Sequence, residues 1–577
     1  MHLLNRRTFL TGTAAAAASL ANLPTGEAAN SPTRQNPTNH IDLLRTPDRA
    51  AAFIGEDARK VPLTIAGQEA QAPGILVRAT LGPNSLTIAV RAEAQPLHRI
   101  HLRWNKKVPV DLRVLGDAWE RSYGDLAWRN FVPERVLPWY FATNDGNATH
   151  CYGVQTGPAA FCFWQIDPEG VSLWLDLSNG GNGVQLGPRE LAAATIVSRH
   201  AHPGETPHQA IAAFCHQLCP DPRLPKTPIY GSNDWYYAYG KNSAEGILRD
   251  TDLIVSLAPT SGARPFSVID AGWAGSGTDS DVVLPNPKFP DMAALADQIR
   301  QRTARPGIWI RPTQAPRSAR KSLLLPLTRF QNPNESDNEP VYDPTIPEAL
   351  QSMLAKLTQA VAWGYHLVKH DYSTYDLLGQ WGSQMGPSPT RPGWHFHDRS
   401  RTNAEIILDL YKSLRQAAGE ATLLLGCNTV GHLAAGLFEV SRTGDDTSGQ
   451  HWERTRRMGV NTLAHRLPQN GAFFLVDADC VGITETIPWE MNRQWLDLLA
   501  RSGTALFISP SPGSIGTPQR DAIREAFAIA AAGQSSGHPT DSLTQTTPQQ
   551  WQFQAGAEKT AKQYDWCGEE GCDPWPI

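Results

Sequence analysis

A lysine and an aspartate, two residues apart, end a short apolar run that reads HLVKHD at residues 366 to 371. Because side chains alternate along a β-strand, Lys369 and Asp371 share one face of this predicted strand, and His370 lies on the other. We therefore expect His370 to pack against helices. A nearby ammonium favours the ionised form of a carboxylate, and an ionised carboxylate can act as a nucleophile.

A second candidate carboxylate lies in SRTGDD at residues 441 to 446. Cleavage of a glycoside needs two carboxyl groups, one to attack the anomeric carbon and one to protonate the leaving oxygen. Asp446 is the better candidate for the second role, and Arg442 could bind a substrate hydroxyl. The alternative is that Asp445 and Asp446 are turn or helix-capping residues.

Alternating strands and helices must position these side chains. Short apolar runs alternate with amphipathic helices after residue 228, which is typical of a parallel sheet of βα units. Eight strands are predicted, the number that closes a (β/α)8 barrel: 229–236, 265–273, 307–312, 366–371, 422–427, 437–443, 473–479 and 505–509. We also expect capping boxes at Thr345 with Glu348 and at Thr402 with Glu405.

The barrel hypothesis predicts where chemistry occurs, because active sites of such barrels lie at the carboxyl ends of the strands. Side chains that can bind or react are predicted at several of those ends: Trp235, Asp270, Trp273, Trp309, Arg311, Lys369, Asp371, Cys427 and Arg442.

Four regions are predicted along the chain. Residues 1–29 form a signal peptide, and residues 30–225 carry short alternating runs that are typical of an antiparallel β-sandwich. A proline-rich segment then leads to the barrel at 226–515, followed by a C-terminal helix and tail at 516–577. The sequence NRRTFLTG, followed by an alanine-rich apolar stretch, resembles a twin-arginine export signal and predicts a periplasmic or secreted protein.

Composition excludes some classes of partner. The 577 residues include 51 Lys and Arg and 56 Asp and Glu, for a formal charge of −5, and no basic run stands out. We therefore expect neither a nucleic-acid ligand nor, once the signal is removed, a membrane surface. Eight cysteines are too few for a disulfide scaffold at this length, and whether Cys567 and Cys572 form a bridge stays open.

Several motifs together resemble a known family. FSVIDAGW, NPKFPDMAALADQI and RPGIWIRP, followed by LVKHD and SRTGDD, resemble the α-galactosidase clan of retaining glycosidases, glycoside hydrolase families 27 and 36, with a layout closer to family 36. The resemblance implies that Asp371 is the nucleophile and Asp446 the acid/base. It also implies an oligo- or polysaccharide substrate, no metal and no cofactor, with sugar contacts from Asp270, Trp235, Trp273, Trp309, Arg311, Lys369, Cys427 and Arg442.

Three features depart from the family pattern. Ala271 occupies the position of a second aspartate that binds galactose hydroxyls, so the sugar stays open. Val476 and Ala478 replace an asparagine and a proline in the seventh strand. About sixty residues follow the barrel, so we expect the family's C-terminal β domain to be missing or reduced to a tail.

Other functions are compatible with the sequence. Within the clan these are an α-N-acetylgalactosaminidase, a β-L-arabinopyranosidase or a transglycosylase. A metal-dependent barrel hydrolase is suggested by the pair His395 and His397, although the predicted strand ends supply no further histidine ligands. The last alternative is a carbohydrate-binding protein that keeps the barrel without catalysis.

Overall fold

The N-terminal domain is built from antiparallel strands. The structure is a computed structural model that describes residues 40–275, 283–332, 338–568 and 571–572, so the predicted signal peptide lies outside the described residues. Fourteen strands precede the barrel: β1 Arg49–Ile54, β2 Arg59–Ala66, β3 Glu69–Ala72, β4 Ile75–Leu81, β5 Leu86–Ala92, β6 Leu97–Asn105, β7 Arg113–Gly116, β8 Arg129–Asn130, β9 Leu137–Pro138, β10 Tyr140–Asn144, β11 Thr149–Val154, β12 Phe161–Asp167, β13 Gly170–Asp176 and β14 Gly187–Arg199.

These strands form one continuous sheet that folds back on itself into two layers. In the strand order, β10 is third and β12 is thirteenth. The rings of Phe141 and Trp164 on these two strands nevertheless lie 5.6 Å apart. Strands such as β4 and β5 alternate buried and more exposed residues, with one face toward the apolar core. The predicted β-sandwich is confirmed.

The barrel strands are parallel and follow one another around the sheet. They are β15 Tyr230–Asn233, β16 Phe266–Ile269, β17 Arg305–Ile310, β18 Leu367–His370, β19 Leu423–Gly426, β20 Val440–Arg442, β21 Leu475–Asp477, β22 Cys480–Ile483 and β23 Leu506–Pro510. The two ends of the strand order, β21 and β22, are separated by two residues, so they form one interrupted strand and the sheet closes as an eight-position barrel. Each predicted strand is present.

Helices connect the strands and cover the barrel. The α-helices of the described residues are α1 Pro207–Leu218, α2 Trp235–Ala238, α3 Ala244–Leu257, α4 Met292–Gln301, α5 Pro347–Ala362, α6 Ser373–Leu378, α7 Asn403–Ala418, α8 Gly431–Ala434, α9 Trp452–Thr455, α10 Thr462–Arg466, α11 Trp489–Ser502 and α12 Thr517–Ala532. Short 3-10 segments lie at Lys321–Leu323, Leu327–Arg329, Gly382–Gln384 and Leu467–Gln469, and a π-helical segment, Arg456–Asn461, joins α9 to α10. None of the helices among the described residues is long and apolar enough to cross a membrane.

One of the two predicted capping boxes is present. Thr402 caps α7 and exchanges hydrogen bonds with Glu405. The prediction for Thr345 is wrong, because α5 begins at Pro347 and its N-cap is Ile346. The hydroxyl of Thr345 instead donates to the carboxylate of Asp343, at 2.7 Å.

The region after the barrel is more than a tail. Following α12, three strands form an antiparallel sheet: β24 Ser535–Pro539, β25 Gln550–Ala555 and β26 Glu558–Gln563. Trp551 and Phe553 alternate with polar residues on β25 and are buried against the rest of the chain. The C-terminal β structure is thus reduced to a three-stranded sheet, because alternating buried and polar residues in this short region favour strands. Cys567 and Cys572 are joined by a disulfide.

Candidate active site

Asp371, the predicted nucleophile, directly follows β18 at the carboxyl end of the barrel. Its side chain is half-buried. Oδ2 accepts a hydrogen bond from Nε1 of Trp309 at 3.1 Å, and Oδ1 accepts one from the main-chain N–H of Tyr372 at 2.7 Å. Tyr372 has a φ of 64°, a left-handed conformation that is costly for a bulky residue. Two donors thus fix the carboxylate while one side of it stays open to solvent.

Lys369 shares the inward face with Asp371, as the alternation predicts, but its ion pair is with another carboxylate. Its ammonium donates to Oδ2 of Asp270 on the neighbouring wall at 2.7 Å, and Asn233 donates to the same oxygen at 2.7 Å. The ammonium that we expect to favour ionisation of Asp371 is thus hydrogen-bonded to Asp270. Beneath the pair, burial and then the charge of Asp270 raise the pKa of Asp234 to about 7.

Asp446, the predicted acid/base, lies in the loop after β20. Its side chain is 38% exposed, whereas that of Asp445 is 16% exposed. Oδ1 of Asp446 is 3.2 Å from Nη2 of Arg442 and 3.3 Å from Nη1 of Arg121. Asp445 is instead held by Arg121 at 3.2 Å and by Arg454 at 2.8 Å. Of the two carboxylates, Asp446 is the one a ligand can reach.

The electrostatic surroundings of Asp446 favour its ionised form. Burial alone raises the pKa of this carboxyl group. Four nearby cations outweigh burial and lower the pKa of Asp446 to about 2; in order of effect they are Arg442, Arg121, Lys369 and Arg454. In the free protein Asp446 is thus a carboxylate at neutral pH, the form that accepts a proton.

Asp479 anchors the loop that carries Asp446, a role that sequence reasoning missed. Its Oδ2 accepts from Arg442 at 2.9 Å and from the main-chain N–H of Thr447 at 2.8 Å, and it also accepts from the hydroxyl of Tyr236. Asp479 has a φ of 76°, and this left-handed residue interrupts the seventh strand between β21 and β22. The interruption turns its side chain toward the loop.

The N-terminal domain also contributes to the site, again without a signal in the sequence pattern. The described residues from His40 onward belong to one compact unit, and the segment 120–122 lies against a barrel loop. Ser122 forms a parallel bridge with Gly444, and Arg121 reaches Asp446. Glu120 accepts from the side-chain amide of Asn428, directly after β19. Arg121 and Asp446 are 325 residues apart, so no local pattern links them.

Cys427 directly follows β19, the strand that lies between β18 and β20 in the sheet. The thiol is buried, and Nη1 of Arg442 is 3.5 Å from Sγ. Burial raises the pKa of Cys427 well above its ordinary value, and the negative charge of Asp371 adds to the effect. Cys427 thus links the neighbourhood of Asp371 to the arginine that contacts Asp446.

The three predicted tryptophans have different environments. Trp309 is half-buried and contacts Asp371, as described. Trp273 is 2% exposed, packs edge-on against Trp363 and donates from Nε1 to the carbonyl of Trp309 at 2.8 Å. The predicted sugar contact of Trp273 is corrected, because its side chain is buried and its Nε1 is already hydrogen-bonded to the protein. Trp235 opens α2, is half-buried and packs against Tyr239.

Arg311 is held by a buried acid rather than left free for a ligand. Its guanidinium makes two hydrogen bonds with Asp376, at 2.6 and 2.9 Å, and lies 4.0 Å from the centre of the Tyr372 ring. Burial lowers the pKa of Arg311, but Asp376 outweighs burial and raises it. Arg311 therefore packs against Tyr372, the residue that follows Asp371.

The histidines of this region differ in burial. His370 is 1% exposed, and its ring lies 4.8 Å from that of Phe438 on the helix side, as predicted. Burial lowers the pKa of His370 to about 3. His395 and His397 are exposed, on either side of the buried Phe396. Across the described ranges, no three His, Cys, Asp or Glu side chains are grouped so that they could hold a metal ion.

The chain was compared with protein-family models, curated sequences and solved structures, and the solved structures include proteins with a similar fold. No protein-family model and no curated protein sequence matches the chain. Among solved structures, an α-galactosidase from Thermus thermophilus in complex with p-nitrophenyl α-D-galactopyranoside is similar, with 18% identity and a TM-score of 0.59. The match covers 89% of this chain and 98% of that one.

Two further solved structures have the same fold. A family 36 α-galactosidase from Geobacillus stearothermophilus is 14% identical with a TM-score of 0.57, over 84% of this chain and 71% of that one. An α-galactosidase from Lactobacillus brevis is 13% identical with a TM-score of 0.54, over 89% and 74%. At these identities the likeness establishes the fold: this chain has the sandwich-and-barrel architecture of family 36 α-galactosidases.

Proposed function

We propose that the protein is a retaining exo-glycoside hydrolase that removes terminal α-linked sugars. One observation carries the proposal. Two reachable carboxylates, Asp371 and Asp446, follow β18 and β20 at the carboxyl end of the barrel, where such folds carry out chemistry. The strand between these two, β19, ends beside Cys427, which contacts Arg442 and whose thiol pKa is raised by burial and then by the charge of Asp371. Each carboxylate has its own set of donors.

The first step forms a covalent intermediate. A carboxylate oxygen of Asp371 attacks the anomeric carbon, and the glycosidic C–O bond breaks. Asp446, protonated for this step, gives its proton to the leaving oxygen. Trp309 holds Asp371 in position through the 3.1 Å hydrogen bond to Oδ2, and the main-chain N–H of Tyr372 holds Oδ1 at 2.7 Å.

The second step releases the sugar with its original anomeric configuration. Asp446, now ionised, takes a proton from water while the water oxygen attacks the anomeric carbon. The ester bond to Asp371 breaks and its carboxylate returns. The environment of Asp446 suits this step, because Arg442 and Arg121 stabilise the ionised form.

Galactose is the sugar that the comparisons favour. Two solved α-galactosidase structures of the same fold are complexes with stachyose and with raffinose. On this chain Asp270, with Lys369 and Asn233, offers a polar wall for sugar hydroxyls. The position after Asp270 is Ala271, which supplies no second carboxylate there. We therefore propose α-galactosides first, with N-acetylgalactosaminides and arabinopyranosides as the related substrates to compare.

A panel of nitrophenyl glycosides tests this proposal. Wild-type protein and Asp371→Asn are assayed with α- and β-nitrophenyl glycosides of galactose, N-acetylgalactosamine, glucose and arabinopyranose. We expect hydrolysis of at least one α-glycoside by the wild type and loss of that activity in Asp371→Asn. Binding of these sugars without hydrolysis would instead identify a carbohydrate-binding protein. Full activity of Asp371→Asn would disprove the nucleophile assignment.

A further inference from the structure

Arg121 connects the N-terminal domain to the carboxylate proposed as acid/base. Its side chain is 5% exposed. One guanidinium nitrogen, Nη2, is 3.2 Å from Oδ1 of Asp445, and the other, Nη1, is 3.3 Å from Oδ1 of Asp446. The guanidinium also lies 5.5 Å from the centre of the Trp381 ring. A single cation thus spans the two adjacent acids of the loop.

The main chain around Arg121 is fixed to the same loop. Ser122 donates to the carbonyl of Thr443 at 2.9 Å and accepts from the N–H of Asp445 at 2.9 Å. On the other side, Glu120 accepts from the N–H of Gly382 at 2.8 Å. These contacts fix the residues on both sides of Arg121 relative to the loop. The backbone of Arg121 is therefore already positioned for its side chain to contact Asp446.

Charged and titratable groups face Asp446 from every element packed against it. Arg442 ends β20, Lys369 lies on β18, Arg454 lies on α9, and Arg121 comes from the N-terminal domain. On the acidic side are Asp445, adjacent in the loop, and Asp479, which shares Arg442. Tyr236 is also near, and its pKa is raised by burial and then by the charges of Asp446 and Asp479.

Arg121 differs from the other three cations near Asp446 in the carboxylates that it contacts. Arg442 is shared with Asp479, and Lys369 is paired with Asp270. Arg454 contacts the carboxylate of Asp445 and only the main-chain carbonyl of Asp446, at 2.7 Å. Apart from Arg442, Arg121 is the cation that contacts the carboxylate of Asp446 itself among the described residues.

We propose that Arg121 is a positioning residue, supplied by the N-terminal domain, that orients Asp446 for proton transfer and favours its ionised form over the protonated form that the first step needs. The inference rests on the proposed function. Its consequence is a division of labour between the domains: the barrel carries both carboxylates, and the β-sandwich sets the balance between acid and base in one of them.

The sign of the effect follows from electrostatics. A cation beside a carboxylate stabilises the ionised form, so loss of Arg121 raises the pKa of Asp446. The protonated form, which the first step needs, then persists to higher pH. The limb of the kcat/KM profile on which activity falls with rising pH, the basic limb, should therefore move upward. One adjacent opposite charge shifts a carboxyl pKa by about 1 to 3 units.

The experiment compares pH profiles of kcat/KM for the wild type, Arg121→Gln and Arg121→Lys. Substrates are nitrophenyl α-galactoside, whose leaving group needs little protonation, and methyl α-galactoside, whose leaving group needs an acid. We expect the basic limb of Arg121→Gln on the methyl glycoside to move up by about 1 to 3 pH units. Arg121→Lys keeps a charge and should move it less. Arg454→Gln is the matched control, with a smaller shift than Arg121→Gln.

Further readouts separate positioning from a merely structural role. The shift of Arg121→Gln should disappear when Asp446→Asn is added, because the titrating group is then absent. Thermal melting shows whether Arg121→Gln is folded. If it is not, the pH profile of Arg121→Lys is used to test the inference. Unshifted limbs in an active protein, or equal losses at all pH values with both substrates, would overturn the inference alone. A wild type without glycosidase activity would overturn the proposed function, and this inference with it.

Discussion

Nε1 of Trp309 donates a 3.1 Å hydrogen bond to Oδ2 of Asp371 across two neighbouring barrel strands. The main chain of Trp309 is itself held, because its carbonyl accepts from Nε1 of Trp273 at 2.8 Å. A chain of two hydrogen bonds therefore runs from the buried Trp273 through Trp309 to the proposed nucleophile. The hydrogen bond from Trp309 is to a carboxylate, whereas the one from Trp273 is to a neutral carbonyl. We therefore expect loss of the Trp309 hydrogen bond to reduce activity more than loss of the Trp273 hydrogen bond.

Trp309→Phe should lower kcat/KM by roughly 10- to 150-fold. The variant keeps an aromatic ring and removes the donor to Asp371, and a hydrogen bond to a charged group contributes about 1.5 to 3 kcal/mol. Trp273→Phe is the matched control and should cost less, since it removes a bond to a neutral carbonyl. Steady-state kinetics on a hydrolysed nitrophenyl glycoside provide the measurement. Equal losses in the two variants would show that the contact to Asp371 has no special role.

Asp446→Ala and Asp445→Ala should behave differently although the residues are adjacent. Asp446 is 38% exposed and can reach a ligand, whereas Asp445 is 16% exposed and bound by two arginines. Loss of a general acid or base costs about 100- to 10,000-fold, so Asp446→Ala should lose that much activity. Azide needs no general base, so it should restore turnover of a nitrophenyl glycoside in Asp446→Ala. Restoration by azide in Asp445→Ala instead would reassign the acid/base.

The barrel could be predicted because its signals are local. Most barrel strands are short runs of apolar residues that become buried, and the rule that strand ends converge predicts where the residues that end β16 to β20 lie. The same reasoning oriented His370 toward the helices, as found. Local signals failed where tertiary contacts compete: the hydroxyl of Thr345 bonds Asp343 instead of capping α5.

The rest of the site could not be predicted, because it depends on contacts between distant segments. Arg121 lies in the N-terminal domain, and only the docking of that domain brings it to Asp446. Asp479 is the last residue of the predicted seventh strand, 473–479, but its left-handed φ and its hydrogen bond to the loop after β20 have no signature in VDADC. Lys369 was placed on the correct face, yet its partner, Asp270, is 99 residues away.

His370→Leu should make stability less sensitive to acid. The pKa of His370 is lowered by burial from 6.5 to about 3, so the unfolded chain binds a proton more readily than the folded protein between these values. The contribution of the neutral, buried ring is complete above pH 6.5 and is lost as pH falls toward 3. Between pH 7 and pH 5 the wild type should therefore lose about 2 kcal/mol more unfolding free energy than the variant.

Urea unfolding at the two pH values measures this difference. Other buried histidines, including His432 and His465, lower acid stability in both proteins, so the comparison isolates His370. Parallel pH dependence in the wild type and His370→Leu would contradict the account of this residue.

The proposed export route depends on two residues at the N-terminus. Replacing Arg6 and Arg7 with lysine should abolish export of the full chain in a bacterium with a twin-arginine pathway, because the motif is read as an arginine pair. Cell fractionation with activity or antibody detection shows where the protein accumulates. Arg34→Lys, outside the motif, is the matched control. Undiminished export of the double lysine variant would rule out this route.

The most direct measurement of the central claim is to identify the residue that bonds to the sugar. A fluorinated galactosyl fluoride forms the covalent intermediate and slows its hydrolysis, and intact mass followed by peptide mapping locates the label. We predict one added glycosyl group, on the peptide that contains Asp371, and no label on Asp371→Asn. A label on any other carboxylate, or turnover of substrate with no covalent species at all, would contradict the proposed mechanism.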